Sequence, residues 1–372
     1  MLLLPLFLLL TARASALNAS IVYGVLTVDG SSPRVIGNAS SAVSAAIAKT
    51  WPHGGGGNVS TILKNSSSFY SYLTLTGDYA ADAPILLPPA LVLVLADASI
   101  STQAPALPGS NALIAAVSAA WSAVVGRGRA LLACSAGGGK AAPAAVYAGQ
   151  SAGFVLDGVQ VTDCSGVHLE GLPLVTGGEV ANCLMRNTRQ QAVWLEKISR
   201  AVVHGNTITN ASYHTIDFDA FSSNGLAMNN TVSFSREEAV FIEQGATYIT
   251  VVDNDLGPGN ARGVAVYNNA IGSSTAGHVI ARNRIWGSTS AGIAVGSTAP
   301  RSGAPDANVL VAGNRLWDNA GQGIHSNVGQ IGTLYVANDD ADGASIYTLT
   351  GAGTAVNLTF ADPSDRVIAA SV

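Results

Sequence analysis

Aromatic and charged residues are scarce in this sequence. Of its 372 residues only 6% are aromatic and 11% are charged, whereas 48% are hydrophobic. Because intrinsic disorder requires low hydrophobicity and high charge, this composition excludes a disordered chain. The net charge is −5, from 18 basic and 23 acidic residues. The sequence therefore also lacks the basic surplus that is typical of a nucleic-acid-binding protein.

Cysteine is equally scarce. The three cysteines, Cys134, Cys164 and Cys183, are too few for a disulfide-based scaffold, and their spacing matches no zinc motif. Their odd number leaves at least one of them without a disulfide partner in the same chain. The cysteines thus exclude a disulfide-based scaffold and a structural zinc site as the means that stabilise this protein.

Long hydrophobic runs are absent. The apolar stretch at the start of the chain is far shorter than the ~20 residues that cross a bilayer. It is followed by the small-residue triplet Ala14-Ser15-Ala16, which is typical of a secretory signal peptide. We predict that residues 1–16 are this signal peptide, that the mature protein is secreted, and that it has no membrane span. Several N-x-[S/T] sequons are consistent with an extracellular surface.

An asparagine recurs along most of the chain. It is followed by strand-like alternation of buried and exposed residues, in a unit too short for a propeller blade and without helical spacing. A period of this length fits one coil of a parallel β-helix, in which equivalent asparagines stack ~4.8 Å apart and bond along their column. The positions are Asn182, Asn206, Asn230, Asn254, Asn283, Asn314 and Asn338, at intervals of 24, 24, 24, 29, 31 and 24 residues.

The same count assigns side chains to the two sides of a strand. Residues ten and twelve beyond each asparagine are predicted to point inward, and residues eleven and thirteen outward. In the coil of Asn182 this count turns Trp194 inward and turns Val193 and Leu195 outward. The longer intervals are predicted to contain loops at 272–275 and 297–307.

The coils from about 154 to 338 resemble the right-handed parallel β-helix proteins of the pectate-lyase-like superfamily. The strings SAVSAAIAKTWPHGGGGNVSTI and GDYAADAPILLPPALVLVLADASI are similar to the opening of that group, with a short helix, a glycine-rich turn and a strand. The resemblance implies an all-β, single-stranded right-handed solenoid with an N-terminal capping helix over its open end. The expected parts are a cap with first coils (17–90), the β-helix (91–345) and a C-terminal cap or tail (346–372).

Acidic residues converge on the outward side of two neighbouring coils. Asp217 and Asp219 share one strand at a separation of ~6.8 Å, and Glu243 lies one coil above Asp219 at ~4.8 Å. Such crowding raises the pKa of at least one carboxyl or requires a cation. A third outward column, eight residues beyond each asparagine, contains His214, Glu238 and Arg262.

Two uses of these carboxyls remain open. In a glycosidase, Asp219 with Glu243 approximates the ~5–5.5 Å of a retaining enzyme, and Asp217 with Glu243 the ~6.5–9.5 Å of an inverting one. In a calcium-dependent uronate lyase, the same three carboxyls are the expected Ca²⁺ ligands. If the protein is not a calcium-dependent lyase, no cofactor is expected.

The remaining polar residues of the cluster support either use. Glu238, Arg262 and His214 would orient the carboxyls or move protons, although the same three residues also fit a solvent-facing charge ladder. Phe241, Tyr267 and Tyr213 would stack against sugars.

The leading hypothesis is a secreted protein that binds and cleaves an extended polysaccharide, with hydrolysis favoured over uronate elimination or epimerisation. The alternative is a non-catalytic cell-surface or matrix β-helix, such as an adhesin or a spacer, because the fold has many functions. A third hypothesis, fructan conversion at the interface of a trimer, uses the same carboxyls and makes the protein a homo-oligomer. The G-H-G and R-I-K strings of polygalacturonases and the W-x-D-H string of pectate lyases are missing.

Overall fold

The predicted signal peptide, the predicted capping helix and most of both predicted loops lie outside the residues that the structure describes. Among the described residues, no helix is long and apolar enough to cross a membrane. The computed structural model describes 71–340 with gaps at 82–83, 103–106, 108–110, 135–141, 172–175, 268–274, 297–305, 327–329, 332 and 337, and four further strands at 25–30, 347–349, 357–359 and 367–369.

The described chain consists of short β-strands joined by turns. The strands are β1 (Val25–Gly30), β2 (Ser71–Ala80), β3 (Ile85–Leu86), β4 (Leu91–Ser101), β5 (Ala112–Val117), β6 (Ala123–Arg127), β7 (Leu131–Ala133), β8 (Ala144–Gly149), β9 (Phe154–Asp157), β10 (Gln160–Thr162), β11 (Val167–Glu170), β12 (Thr176–Ala181), β13 (Leu184–Arg186), β14 (Val193–Glu196), β15 (Ser199–His204), β16 (Thr207–Thr209), β17 (Ile216–Asp219), β18 (Leu226–Met228), β19 (Thr231–Ser233), β20 (Glu238–Glu243), β21 (Thr250–Val252), β22 (Asp255–Leu256), β23 (Arg262–Tyr267), β24 (Val279–Ala281), β25 (Arg284–Trp286), β26 (Ile293–Val295), β27 (Asp306–Ala307), β28 (Leu310–Ala312), β29 (Arg315–Trp317), β30 (Ile324–Ser326), β31 (Gln330–Ile331), β32 (Leu334–Val336), β33 (Asp339–Asp340), β34 (Tyr347–Leu349), β35 (Asn357–Thr359) and β36 (Val367–Ala369).

The strands form three long faces, and within a coil the chain visits each face once. Face 1 runs through β9, β12, β15, β18, β21 and β24, and face 2 through β10, β13, β16, β19, β22 and β25. Face 3 runs through β5, β8, β11, β14, β17, β20, β23, β26 and β30. Neighbouring coils pair in parallel on every face. This is the architecture of a parallel β-helix.

The core lies inside the coils. Because successive side chains of a strand point to opposite sides, one set of each face-3 strand is buried against the other two faces. Ile216 and Phe218 of β17, and Val240 and Ile242 of β20, are all 0% exposed and belong to one continuous apolar core. The residues between them therefore face outward, which places Asp217 on the outer side of face 3.

A buried asparagine ladder follows the bend between faces 1 and 2. The Oδ1 atom of Asn254 accepts hydrogen bonds from the backbone N–H of Asn230 at 2.9 Å and from its Nδ2 at 3.0 Å. Its own Nδ2 donates to Asn283 Oδ1 at 2.9 Å and to the carbonyl of Ala227 at 3.0 Å. Each rung thus satisfies backbone groups that the bend would leave unpaired. The rungs are Asn206, Asn230, Asn254, Asn283, Asn314 and Asn338.

The prediction that Asn182 belongs to this ladder is wrong. The backbone N–H of Cys183 donates to Asn206 Oδ1 at 2.9 Å, so Cys183 occupies the ladder position in that coil. Asn182 lies outside, where its Nδ2 donates to Asp157 Oδ1 at 2.8 Å. Its coil is one residue shorter than the asparagine spacing suggests, because Leu184 pairs with residue 207 rather than 208.

The cysteines divide into a pair and a single buried thiol. Cys134 and Cys164 form a disulfide bond, whereas Cys183 is free and buried. Burial raises the pKa of the Cys183 thiol to about 12, so it stays protonated at neutral pH. This agrees with the expectation from the odd number of cysteines.

Gly166, at the turn that precedes β11, is expected to tolerate no side chain. It has a φ of +98°, and a Cβ there would lie 2.0 Å from the carbonyl oxygen of Gln191. Gly313 also has a positive φ, of +60°, but the nearest atom to its Cβ would be 3.8 Å away. Gly313→Ala should thus cost only the ~1–2 kcal/mol of the left-handed conformation. Gly166→Ala should cost at least about 3 kcal/mol because the backbone must also move. Thermal unfolding of both variants measures the difference, and equal losses would contradict the expectation.

Candidate active site

Two adjacent strands of face 3 bring the predicted carboxyls together. In β17 and β20, Asp217 pairs with Phe241, and Phe218 pairs with Ile242. Asp219 and Glu243 follow directly on the same strands. Although they face outward, Asp217 is 0%, Asp219 7% and Glu243 9% exposed. Neighbouring side chains therefore shield these carboxyls from water, which is the condition for large pKa shifts.

Asp217 is the most deeply buried carboxyl of the cluster. Trp194 lies one coil below it and Phe241 one coil above it. Its Oδ2 accepts a hydrogen bond from Gln191 Nε2 at 3.2 Å, whereas its Oδ1 has no hydrogen-bond partner. Burial, and after it the negative charge of Glu243, raises the pKa of Asp217 well above its usual value. Asp217 is thus held protonated at a pH at which an exposed aspartate is ionised.

Asp219 is held in place by two donors. The indole Nε1 of Trp194 donates to its Oδ2 at 3.0 Å, and the backbone N–H of Ala220 donates to its Oδ1 at 2.6 Å. Burial raises the pKa of Asp219, although both hydrogen bonds lower it. Because both oxygens have a donor, the carboxylate has one fixed orientation.

Glu238, a further buried acid of the cluster, is kept ionised by its contacts with His214 and Arg262. Its Oε2 lies 2.6 Å from His214 Nδ1. Its Oε1 forms an ion pair with Arg262 on the next coil. Burial raises the pKa of Glu238, but the contacts with His214 and Arg262 outweigh this effect and hold the pKa below its usual value. The structure therefore separates a protonated acid, Asp217, from an ionised one within the same cluster.

The predicted aromatic residues differ in accessibility. Phe241 is only 4% exposed and packs against Tyr267 with ring centroids 5.7 Å apart. Its other neighbour is His214, at 4.3 Å. Tyr213 is 42% exposed and lies at the rim of the site, 4.0 Å from the ring of His214. Of the three, Tyr213 therefore presents the largest free surface to a ligand.

One group of side chains has the spacing of metal ligands. His214, Asp217 and Glu243 each offer a ligand atom, and these atoms lie within 4.8 Å of one another. Asp219, which the sequence analysis placed among the calcium ligands, is directed instead to Trp194 and the backbone of Ala220. The predicted set of three carboxyls thus stays a prediction, and histidine takes the place of Asp219 in the cluster that the structure forms.

The structure adds a second set of residues below the acidic cluster. Trp194 pairs with Asp217, and Glu196 pairs with Asp219, so both are on the outer side of face 3. Sequence analysis missed them because the asparagine count turned Trp194 inward. Val193 and Leu195 are 0% exposed and belong to the core, which inverts their predicted orientation. Aligning V-W-L-E with I-D-F-D by their apolar positions, rather than by the asparagine, would have found the correct register.

These additional residues continue down the face for two more coils. His168 pairs with Trp194 and with Tyr147. The rings of His168 and Trp194 stack at 4.0 Å with an angle of 10°. The hydroxyl of Tyr147 donates to Glu170 Oε2 at 2.6 Å. Asp217 therefore stands at the upper end of an aromatic column that spans three coils.

A polar cavity opens beside this column. Its volume is about 210 Å³. Two lining residues bond the acidic cluster directly, since Gln191 donates to Asp217 and Trp194 donates to Asp219. The cavity and the carboxyls are thus parts of one site. Its lining includes Asn111, Tyr147, His168, Gln190, Gln191 and Trp194.

Comparison with known proteins identifies the fold. A family model described as a right-handed beta helix region matches residues 140–276. No curated protein matches the sequence. Three solved structures are similar: the Dettilon tailspike protein (TM-score 0.61, 15% identity, 91% of this chain and 69% of that one); the tailspike protein of E. coli bacteriophage HK620 in complex with a pentasaccharide (0.68, 12%, 89% and 63%); and endo-xylogalacturonan hydrolase from Aspergillus tubingensis (0.67, 9%, 90% and 100%).

The prediction of an all-β, right-handed parallel β-helix is confirmed. At these identities the likeness concerns the fold alone, and the activity must be argued from the site.

Proposed function

We propose that the protein binds an extended polysaccharide along the outer side of face 3 and hydrolyses it at Asp217 and Glu243. The observation that carries the proposal is this carboxyl pair, whose oxygens lie within 4.8 Å of each other. One member is fully buried and has a strongly raised pKa. A glycosidase needs one protonated and one ionised carboxyl at the same pH, and different surroundings provide them.

The separation favours a two-step, retaining reaction, for which carboxyls ~5–5.5 Å apart are typical, rather than the inverting reaction that the strand spacing predicts for Asp217 with Glu243. In the first step Glu243 attacks the anomeric carbon, the glycosidic C–O bond breaks, and Asp217 gives its proton to the leaving oxygen. In the second step Asp217 takes a proton from water, whose oxygen attacks the same carbon and releases Glu243. Because Asp217 is covered, the sugar must first displace Gln191, which bonds its Oδ2 and lines the cavity.

The other predicted site residues have supporting roles in this proposal. Asp219, fixed by Trp194 and Ala220, accepts hydrogen bonds from sugar hydroxyls. Glu238 holds His214 and Arg262 in place. Tyr213 provides an exposed ring at the rim. These side chains orient the substrate and the carboxyl pair, and we assign them no proton transfer.

A specific observation favours a second candidate function, cation-assisted elimination or epimerisation of a uronate. The Oδ1 atom of Asp217 is buried without a hydrogen-bond partner and belongs to the cluster with His214 and Glu243. Such a set would hold a divalent cation, and its histidine suits a transition metal better than Ca²⁺, which prefers oxygen ligands. The cation would neutralise a uronate carboxylate and acidify the neighbouring C–H bond.

Release of new chain ends tests the two candidates. The secreted protein is incubated with neutral and uronic polysaccharides, with and without a chelator, and reducing ends and unsaturated uronates are measured separately. Reducing ends that form in the chelator and disappear in Glu243→Gln support hydrolysis. Unsaturated ends that the chelator abolishes support the cation-assisted reaction. Binding without any new ends would leave the non-catalytic alternative.

Glu179→Gln is the matched control for this assay. Like Glu238 of the site, Glu179 contacts a histidine, since its Oε1 lies 2.8 Å from His204 Nε2. Glu179, however, lies on face 1. Its replacement removes one carboxylate from the protein without touching face 3. Product formation should therefore be unchanged, and a loss equal to that in Glu243→Gln would contradict the assignment of the site to face 3.

A further inference from the structure

Two parallel columns of side chains define the outer side of face 3 below and at the acidic cluster. One column is aromatic and leads upward to Asp217. The adjacent column carries a carboxyl in four successive coils, and equivalent positions in it are ~4.8 Å apart. The aromatic column consists of Tyr147, His168 and Trp194, and the carboxyl column consists of Glu170, Glu196, Asp219 and Glu243.

The cavity beside these columns has the size for one sugar unit rather than for a chain. Its 210 Å³ is below the ~300–1,000 Å³ that is common for sites of small molecules. Because Gln191 and Trp194 both line the cavity and bond the acidic cluster, a sugar in it lies next to the bond that the carboxyl pair would cleave. The sugar unit in the cavity is therefore the one at which face 3 can distinguish one glycan from another most strongly.

Negative charge dominates the surroundings of that sugar unit. Of the cations beside the carboxyl column, Lys197 is already paired with Glu196, and Arg262 is already paired with Glu238. Glu170 and Glu196 do not line the cavity themselves, but Glu170 accepts a hydrogen bond from Tyr147 and Glu196 lies 3.4 Å from His168, and both of these partners line it. A uronate in this position would meet carboxylates of its own charge, and both of these cations are already engaged. Like charges within a few ångströms oppose binding, most strongly at low ionic strength.

We propose that the glycan recognised by face 3 is uncharged, and that one neutral sugar unit occupies the cavity beside Trp194. The apolar side of the sugar ring lies against the stacked rings of Trp194 and His168, and its hydroxyls form hydrogen bonds with the side-chain amides of Gln190 and Gln191, which line the cavity. These amides are uncharged and both donate and accept hydrogen bonds, so they bind a neutral sugar without compensating the charge of a uronate. This inference rests on the proposed function and names the substrate class of that site.

Affinity electrophoresis tests the inference with the full-length Asp217→Asn protein, which leaves the glycan intact. The probes are neutral glucan, galactan, arabinan and xyloglucan, and the polyuronates polygalacturonate and alginate, all in chelator at low salt. At least one neutral glycan should bind at least about tenfold more tightly than either polyuronate. A polyuronate that binds as tightly as the best neutral glycan overturns the inference but leaves the proposed function standing. Failure of every probe to bind overturns the proposed function and, with it, the inference.

Removal of the negative charges at Glu170 and Glu196 provides a second test of the inference. In the Glu170→Gln, Glu196→Gln protein the preference for the neutral glycan over polygalacturonate should fall about tenfold, because the repulsion is gone while the cavity keeps its shape. The same pair of changes should leave neutral binding nearly unchanged, since neither residue lines the cavity. Glu179→Gln on face 1 should leave the preference unchanged. An unchanged preference in the double variant would show that these carboxylates do not select the substrate.

Discussion

Asp217→Asn is expected to abolish glycan cleavage without destabilising the protein. General acid catalysis by a positioned carboxyl contributes about 10²–10⁴-fold to a rate, and asparagine supplies no proton. Folding gains nothing from the carboxyl, because it is fully buried, has one oxygen without a partner and stands beside Glu243. The assay is product release by the variant, with its melting temperature measured in parallel at neutral pH. A lower melting temperature together with retained cleavage would refute the assignment.

The pH dependence of stability gives the same residue a separate test. Because burial raises the pKa of Asp217 in the folded state well above its usual value, the folded protein binds its proton more tightly than the unfolded chain does. Its contribution to stability is complete below about pH 4 and is lost as the pH rises through the raised pKa. The melting temperature of the wild type should therefore fall over this range relative to that of Asp217→Asn. Parallel curves would show that Asp217 is not perturbed.

Asn254→Ala is expected to cause a large loss of stability. It removes the acceptor of the backbone N–H and the Nδ2 of Asn230, and the donor to Asn283 and to the carbonyl of Ala227. A buried group left without a partner costs about 1–3 kcal/mol, so the loss should be about 3–5 kcal/mol. Denaturant unfolding of the two proteins measures it.

Asn182→Ala is the matched control for that substitution. By spacing alone Asn182 is the first rung of the ladder, but its side chain is exposed and donates a hydrogen bond to Asp157 instead. The expected loss is below about 1 kcal/mol, as for most exposed side chains. Equal losses in Asn182→Ala and Asn254→Ala would mean that the ladder is not the source of the stability.

The spacing of the asparagines predicts the acidic cluster correctly but misplaces the residues of the coil below it. From Asn206 to Asn254 the coils have equal length, so counting from the asparagine places Asp217 beside Phe241 and Glu238 beside Arg262, as the structure does. In the coil below, the turn is one residue shorter. A shift of one residue moves every side chain of a strand to the opposite side, which is why Trp194 was assigned to the core.

The sequence by itself determined the parallel β-helix, because a repeated asparagine and a two-residue alternation depend only on the neighbours of each residue along the chain and on the coil length. It also determined that carboxyls converge on two coils. Only the tertiary structure decided which of them is protonated, since the raised pKa of Asp217 depends on its burial beside Glu243, and the lowered pKa of Glu238 depends on His214 and Arg262. Only the tertiary structure placed the aromatic column and the cavity beside the carboxyls, because their positions depend on the length of one turn in the coil of Asn182.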